Sequence, residues 1–123
     1  MSLAKYTALS VAALAAMTAT GNGTAIDVGE FHGKGKAILS HTLPGGTTPT
    51  WDFFIEHSED GATGWTTLAT FPQLTSASAA GIKVVEVDLD RAKRFVRLSR
   101  TAGGTSPTVT AGLAITGGKQ KLP

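Results

Sequence analysis

Apolar side chains fall on every second position through most of this chain, and that period points to strands that bury one face. In Thr50–His57 the residues Trp51, Phe53 and Ile55 share one side, with Asp52, Phe54 and Glu56 on the other. Val109, Ala111, Leu113 and Ile115 form a second row, opposed by Thr108, Thr110, Ala114 and Thr116. Between them Val96 and Leu98 face one way and Lys93, Phe95, Arg97 and Ser99 the other, while Ile82–Leu89 turns Val85, Val87 and Leu89 inward. Period two repeated this often builds antiparallel sheets with one packed and one wet face.

Glycine, proline and small polar residues punctuate these rows. Gly103, Gly104 and Pro107 read as a polar turn over Thr101–Ser106, which makes Lys93–Thr116 a C-terminal hairpin. Ser58, Asp60, Gly61 and Gly64 form a tight connection that sets Thr50–His57 antiparallel to a strand at Trp65–Phe71. Gly21-Asn22-Gly23 and Leu43-Pro44-Gly45-Gly46 are turns, Gly29–Lys36 is a glycine-punctuated bend, Gln73–Gly81 is a loop, and Thr24–Val28 and Ala37–His41 are short strands. The sum is about eight short strands with turn signals roughly every ten residues, the pattern of an all-β antiparallel β-sandwich or jelly roll. Residues 1–21 are assigned to an N-terminal arm and residues 22–123 to the sandwich domain.

The 123 residues suit a single core. With no cysteine, packing, hydrogen bonds or a partner subunit must hold the fold, which suits a reducing cytoplasm. Formal charge is only +2, too balanced for a general nucleic-acid binder. Lys5 followed by the apolar run Leu9–Met17 mimics a signal peptide, but Met17 occupies a small-residue position of the best cleavage site. The run is also well short of the roughly 18 apolar residues of a membrane span. Its alanines allow a helix, whereas the small residues mixed with threonine favour an extended arm or strand lying against a neighbour.

The chemistry-bearing residues do not assemble into a reactive pattern. His32, His41 and His57 stand nine and sixteen residues apart with no HxH or HExxH spacing, so no metal site is expected. Gly29–Lys34 is one residue short of a phosphate loop and lacks the following Ser or Thr, so no cofactor is expected there. Ser58 and His57 are adjacent on a strand and therefore face apart, which argues against a hydrolase. The basic cluster Arg91, Lys93, Arg94, Arg97 and Arg100 carries five of the eleven Lys and Arg residues. With Phe95 and the outward-facing Phe54 it offers a docking surface. The competing reading pairs Lys93 and Arg97 with Asp52, Glu56, Glu86 and Asp88 on adjoining strands.

Two segments, IEHSEDGATGWTTLATF and KRFVRLSRTAGGTSPTVTAGLAIT, joined through VDLDRAKR, resemble small capsid decoration, or cement, proteins of tailed bacteriophages. That resemblance implies a jelly-roll or related sandwich on the capsid exterior. Such a protein would be made in the host bacterial cytoplasm, assemble as a homodimer or homotrimer, and bridge major capsid protein subunits with neither catalytic residues nor cofactor. No nucleic-acid or membrane partner is implied. The candidate contact residues are Tyr6, Leu9, Val11, Leu14 and Met17 of the arm, with Phe54, Arg91, Lys93, Phe95, Arg97 and Arg100. S-x-D-G with a downstream tryptophan also resembles discoidin-type jelly rolls, which bind sugars or lipids. The alternatives are therefore a carbohydrate-binding module that stacks sugar on Trp65 or Trp51, or a tail or baseplate sandwich.

Overall fold

The computed structural model describes the backbone of residues 3–121 and the side chains of residues 7–118. The described residues form nine strands and no helix: β1 (Leu3–Met17), β2 (Gly21–Asn22), β3 (Ile26–Asp27), β4 (Phe31–His41), β5 (Gly45–Ser58), β6 (Thr66–Thr70), β7 (Leu74–Thr75), β8 (Gly81–Asp88) and β9 (Phe95–Lys121). All pairings are antiparallel. The first sheet runs β1, the second half of β9, β4, β8. The second runs β2 and β3, the first half of β9, β5, then β6 and β7. The architecture is an all-β sandwich of jelly-roll type, as the period-two rows require.

The rows close on one another as a core. Trp51, Phe53 and Ile55 of β5, Val96 and Leu98 of β9, and Leu74 meet Val109, Ala111, Leu113 and Ile115 of β9 with Ala37, Leu39 and Val87 from the other sheet, all buried. β1 contributes Val11 and Met17 to this core and pairs with β9 from Leu3↔Lys121 to Met17↔Val109. The N-terminal segment is thus an edge strand of the first sheet. Its threonines and alanines fit a half-covered pleat, and tertiary pairing overrides alanine's helix propensity.

The expected C-terminal hairpin does not form. β9 is one strand of 27 residues that leaves the second sheet and enters the first, with Thr108 paired to β5 and Val109 to β1. Gly103 and Gly104 mark a corner instead of a reversal. There Gly104 (φ 89°) and Ser106 (φ 49°) of β9 face Gly46 (φ 106°) and Thr48 (φ 46°) of β5, all in the left-handed region. A Cβ on Gly104 would collide with the Thr48 carbonyl, and one on Gly46 with the Ser106 carbonyl. Register slips in both strands across this stretch bend them together. The slip also explains why the buried positions change from even numbers (Val96, Leu98) to odd ones (Val109, Ala111) within one strand. Similarly, Gly29–Lys36 is only in part a bend: β4 begins at Phe31 and carries a bulge around Gly33 (φ 76°).

Candidate functional site

The basic segment was the first candidate surface, and the structure commits most of its cations internally. Arg94 forms a 3.0 Å ion pair with Asp27. Arg97 meets Glu56 at 2.8 Å and lies 4.1 Å from the centroid of the Trp65 ring, with both charged side chains largely buried. Arg100 donates from Nε to the Ala19 carbonyl. The Phe95 ring packs on Gly61 and under the Arg94 guanidinium, and Phe54 is half-buried. Among the described residues Arg91, Lys93 and Arg100 of the cluster make no ion pair, and of these Arg100 is held by the Ala19 carbonyl. Glu86, offered as a possible partner of the cluster, instead takes Lys34 and Lys36 at 3.6 and 3.9 Å.

Of the N-terminal candidates, Val11 and Met17 are core residues and Leu9 is half-buried against the core. Leu14 is 65% exposed, and the Tyr6 side chain lies outside the described residues.

Beside Arg91 and Lys93 the segment 57–64 is held by its own polar groups. Ser58, fully buried, accepts the Gly61 N–H and donates to the Thr63 carbonyl. Asp60 accepts N–H groups from Thr63 and Ala62 at 2.9 Å each, and the Thr63 hydroxyl at 2.8 Å. These backbone donors, Thr63 first, hold its carboxyl far below the usual carboxylate range. His57 accepts the Lys93 N–H on Nδ1 at 3.1 Å. Burial, and then the charges of Lys93 and Arg91, hold its pKa below the ordinary 6.5. A histidine whose folded pKa is depressed adds stability that is complete above 6.5 and is lost as pH falls through the lower folded value. The Asp60 contribution is complete above 3.8 and is lost only at lower pH. Urea titrations should therefore show the midpoint falling in two stages on acidification. His57→Gln should remove the upper stage and leave the lower one; an unchanged upper stage would assign it to another group.

The first sheet presents a second surface that the sequence reading passed over. Of the large apolar side chains left exposed, Ile82 (62%) and Val84 (50%) stand on the outer face of β8, Leu14 (65%) on β1, and Leu43 (54%) in the segment following β4. The register places them in rows. Gly112 and Ser40 lie beside Ile82, then Ala114 and Ile38 beside Val84, then Thr116 and Lys36 beside Glu86. Leu14 sits in a bulge of β1, and its backbone covers Gly112, where a Cβ would come within 2.9 Å of the Leu14 nitrogen. The face is a shallow valley of small residues between Leu14 and the Ile82–Val84 ridge. The signal was present in GIKVVEVD, where apolar residues occupy both parities of one strand.

A groove of about 870 Å³ opens at one end of the sandwich, lined among others by Leu9, Val28, Phe31, Leu89, Lys93 and Arg94. Of the two tryptophans offered as sugar platforms, Trp51 is buried and one face of Trp65 is covered by Arg97. Among the described residues no three His, Asp or Glu side chains converge on a metal-sized point, and no helix is long and apolar enough to cross a membrane.

No protein-family model matches the sequence, and no curated protein matches it. Solved structures do. One is the Clostridium thermocellum xylanase 10B, comprising its CBM22-1 and GH10 modules complexed with xylohexaose, at 13% identity and a TM-score of 0.53. The match covers 91% of this chain and 26% of that one, so this chain spans about a quarter of the xylanase chain. Another is the SPBc2 prophage-derived protein YomS, at 12% identity and a TM-score of 0.50, covering 91% of this chain and 95% of that one. At these identities the likeness is one of fold, and it places the chain among jelly-roll sandwiches whose solved structures include a prophage-derived protein and a chain bearing a CBM22 module.

Proposed function

We propose that this chain is a structural virion protein that decorates a bacteriophage capsid and bridges its major capsid subunits. The observation that carries the reading is the surface: large apolar side chains on the outer face of one sheet suit a chain packed among protein neighbours, and a separate cationic patch at one end is left for the shell. The near full-length likeness to a prophage-derived protein supports the phage context. Each copy that binds only the assembled shell stabilises it by mass action, and many weak copies add. The capsid-facing surface is assigned to the end of the sandwich where Lys93 lines the groove and, among the described residues, neither it nor Arg91 makes an ion pair.

Removing β1 would test folding instead of docking, because Val11 and Met17 belong to the core. The suitable probe is Arg91→Glu with Lys93→Glu, added to heads of the source virus purified without this protein. Wild-type protein should coat them, and the double variant, with unchanged thermal melting, should need at least about tenfold more protein for equal occupancy, the cost of about 1.4 kcal/mol in lost contacts. Heads left bare by the wild type would overturn the reading. The fold it shares with a xylohexaose-bound xylanase chain sustains a carbohydrate-binding alternative. Binding of xylohexaose in calorimetry, with bare heads, would establish that alternative in its place.

A further inference from the structure

We infer that the outer face of the first sheet is a self-association surface, and that a second copy of this chain packs on it about a two-fold axis running along the strands. The inference rests on the protein-contact reading above and names the occupant of the apolar face.

The shape of the face is complementary to itself. Its floor is made of Ala114, Ser40 and Ile38, all half-buried, and is closed at one end where the Leu14 backbone covers Gly112. The Leu14 bulge walls one side, and Ile82 and Val84 rise along the other. Strands in a sheet are about 4.8 Å apart, so a two-fold axis lying close over β4 carries the Ile82–Val84 ridge of each copy roughly 7 Å, onto the valley floor of the other. Ile82 of the second copy then meets Leu14, and its Val84 lies over Ala114 and Ile38. An isologous contact requires this reciprocity, in which the same ridge and the same valley serve both molecules.

Charge and shape together select the orientation. The row after the apolar ones holds Lys36 and Glu86, with Lys34 beyond, and all three side chains are exposed. A two-fold axis along the strands keeps every row at its own level. Glu86 of each copy therefore comes between Thr116 and Lys36 of the other, and the ion pairs within a copy are extended across the interface. An axis perpendicular to the strands in the same plane would set β8 over β8, so that the Ile82–Val84 ridges would meet each other and leave both valleys unfilled.

Three overlapping strands of eight residues cover on the order of 400 Å² per copy, at the low end for specific complexes. Association is therefore expected to be reversible, with a dissociation constant of about 10–100 μM. Copies held side by side on a particle reach effective concentrations of about a millimolar, where such a contact closes.

The test uses the whole chain, without particles. Sedimentation of the wild type between about 10 μM and 1 mM should show mass rising from monomer to dimer. Glu86→Lys makes the charged row entirely basic, and Lys34→Glu with Lys36→Glu makes it entirely acidic. All of these positions are exposed, so each variant should melt as the wild type does. Each alone should stay monomeric to at least tenfold higher concentration than the wild type, whereas an equimolar mixture should form a heterodimer at least as tight as the wild-type dimer. A wild type that stays monomeric at 1 mM, one that forms trimers, variants that associate like the wild type, or a mixture that does not pair would each overturn the inference. The readout is independent of head occupancy, so this inference and the proposed capsid role can fail separately.

Discussion

Replacing Trp51 with alanine should lower the folding free energy by about 3–5 kcal/mol, a large share of the roughly 5–15 kcal/mol that holds a domain of this kind together. Trp51 has no exposed surface, stacks on Phe53 with ring centroids 5.9 Å apart, and is flanked across the sheet by Leu74 and Ala102. Truncation loses the burial of the indole and leaves a cavity that β5, clamped between β9 on one side and β6 and β7 on the other, cannot collapse. With a urea dependence of about 1–3 kcal/mol per molar, the midpoint should fall by about 2 M. Trp51→Phe should cost far less. The buried Trp51 Nε1 has no hydrogen-bond acceptor, so phenylalanine removes an unsatisfied donor along with part of the ring. An alanine variant whose midpoint stays within about 0.5 M of the wild type would show that the core is not organised around this side chain.

The core was legible because period two is a local property. Trp51, Phe53 and Ile55 needed only their own spacing to be placed inward, and so did Val109 through Ile115. The corner in β9 was not, because a pair of glycines followed by a proline marks a hairpin turn and a sheet-switching bulge with the same letters. What separates them is whether β5 or β9 itself supplies the pairing strand, and that depends on contacts some fifty residues away. The change in buried parity between Leu98 and Val109 was visible, yet both explanations predict it. The surface divided in the same way. Arg97 opposite Glu56 follows from two strands being neighbours, and the sequence named that pairing among its alternatives. The apolar face built from β1, β4, β8 and β9 needed the full strand order before Leu14, Ile82 and Val84 fell on one sheet.

Arg97→Ala should destabilise the fold by about 3–5 kcal/mol, the usual consequence of leaving one member of a buried ion pair alone. Glu56 Oε1 accepts Arg97 Nε at 2.9 Å and the Ser99 hydroxyl at 2.7 Å, and the side chains of Arg97 and Glu56 are only 19% and 16% exposed. Removing the guanidinium leaves that carboxylate with one neutral donor from this group and uncovers the face of Trp65, losing a cation–π contact of about 0.5–2 kcal/mol. Replacing both residues at once, Arg97→Met with Glu56→Leu, should restore most of the loss, because neither charge is then stranded. The coupling in that double-mutant cycle should exceed about 2 kcal/mol, and additivity within about 0.5 kcal/mol would show the pair to be incidental. The cycle also separates two roles for the basic segment. If Arg97 gripped the capsid, its loss would reduce head occupancy at equal folded concentration; because the structure turns it inward onto Glu56, the loss should appear in the urea midpoint and leave occupancy to Arg91 and Lys93.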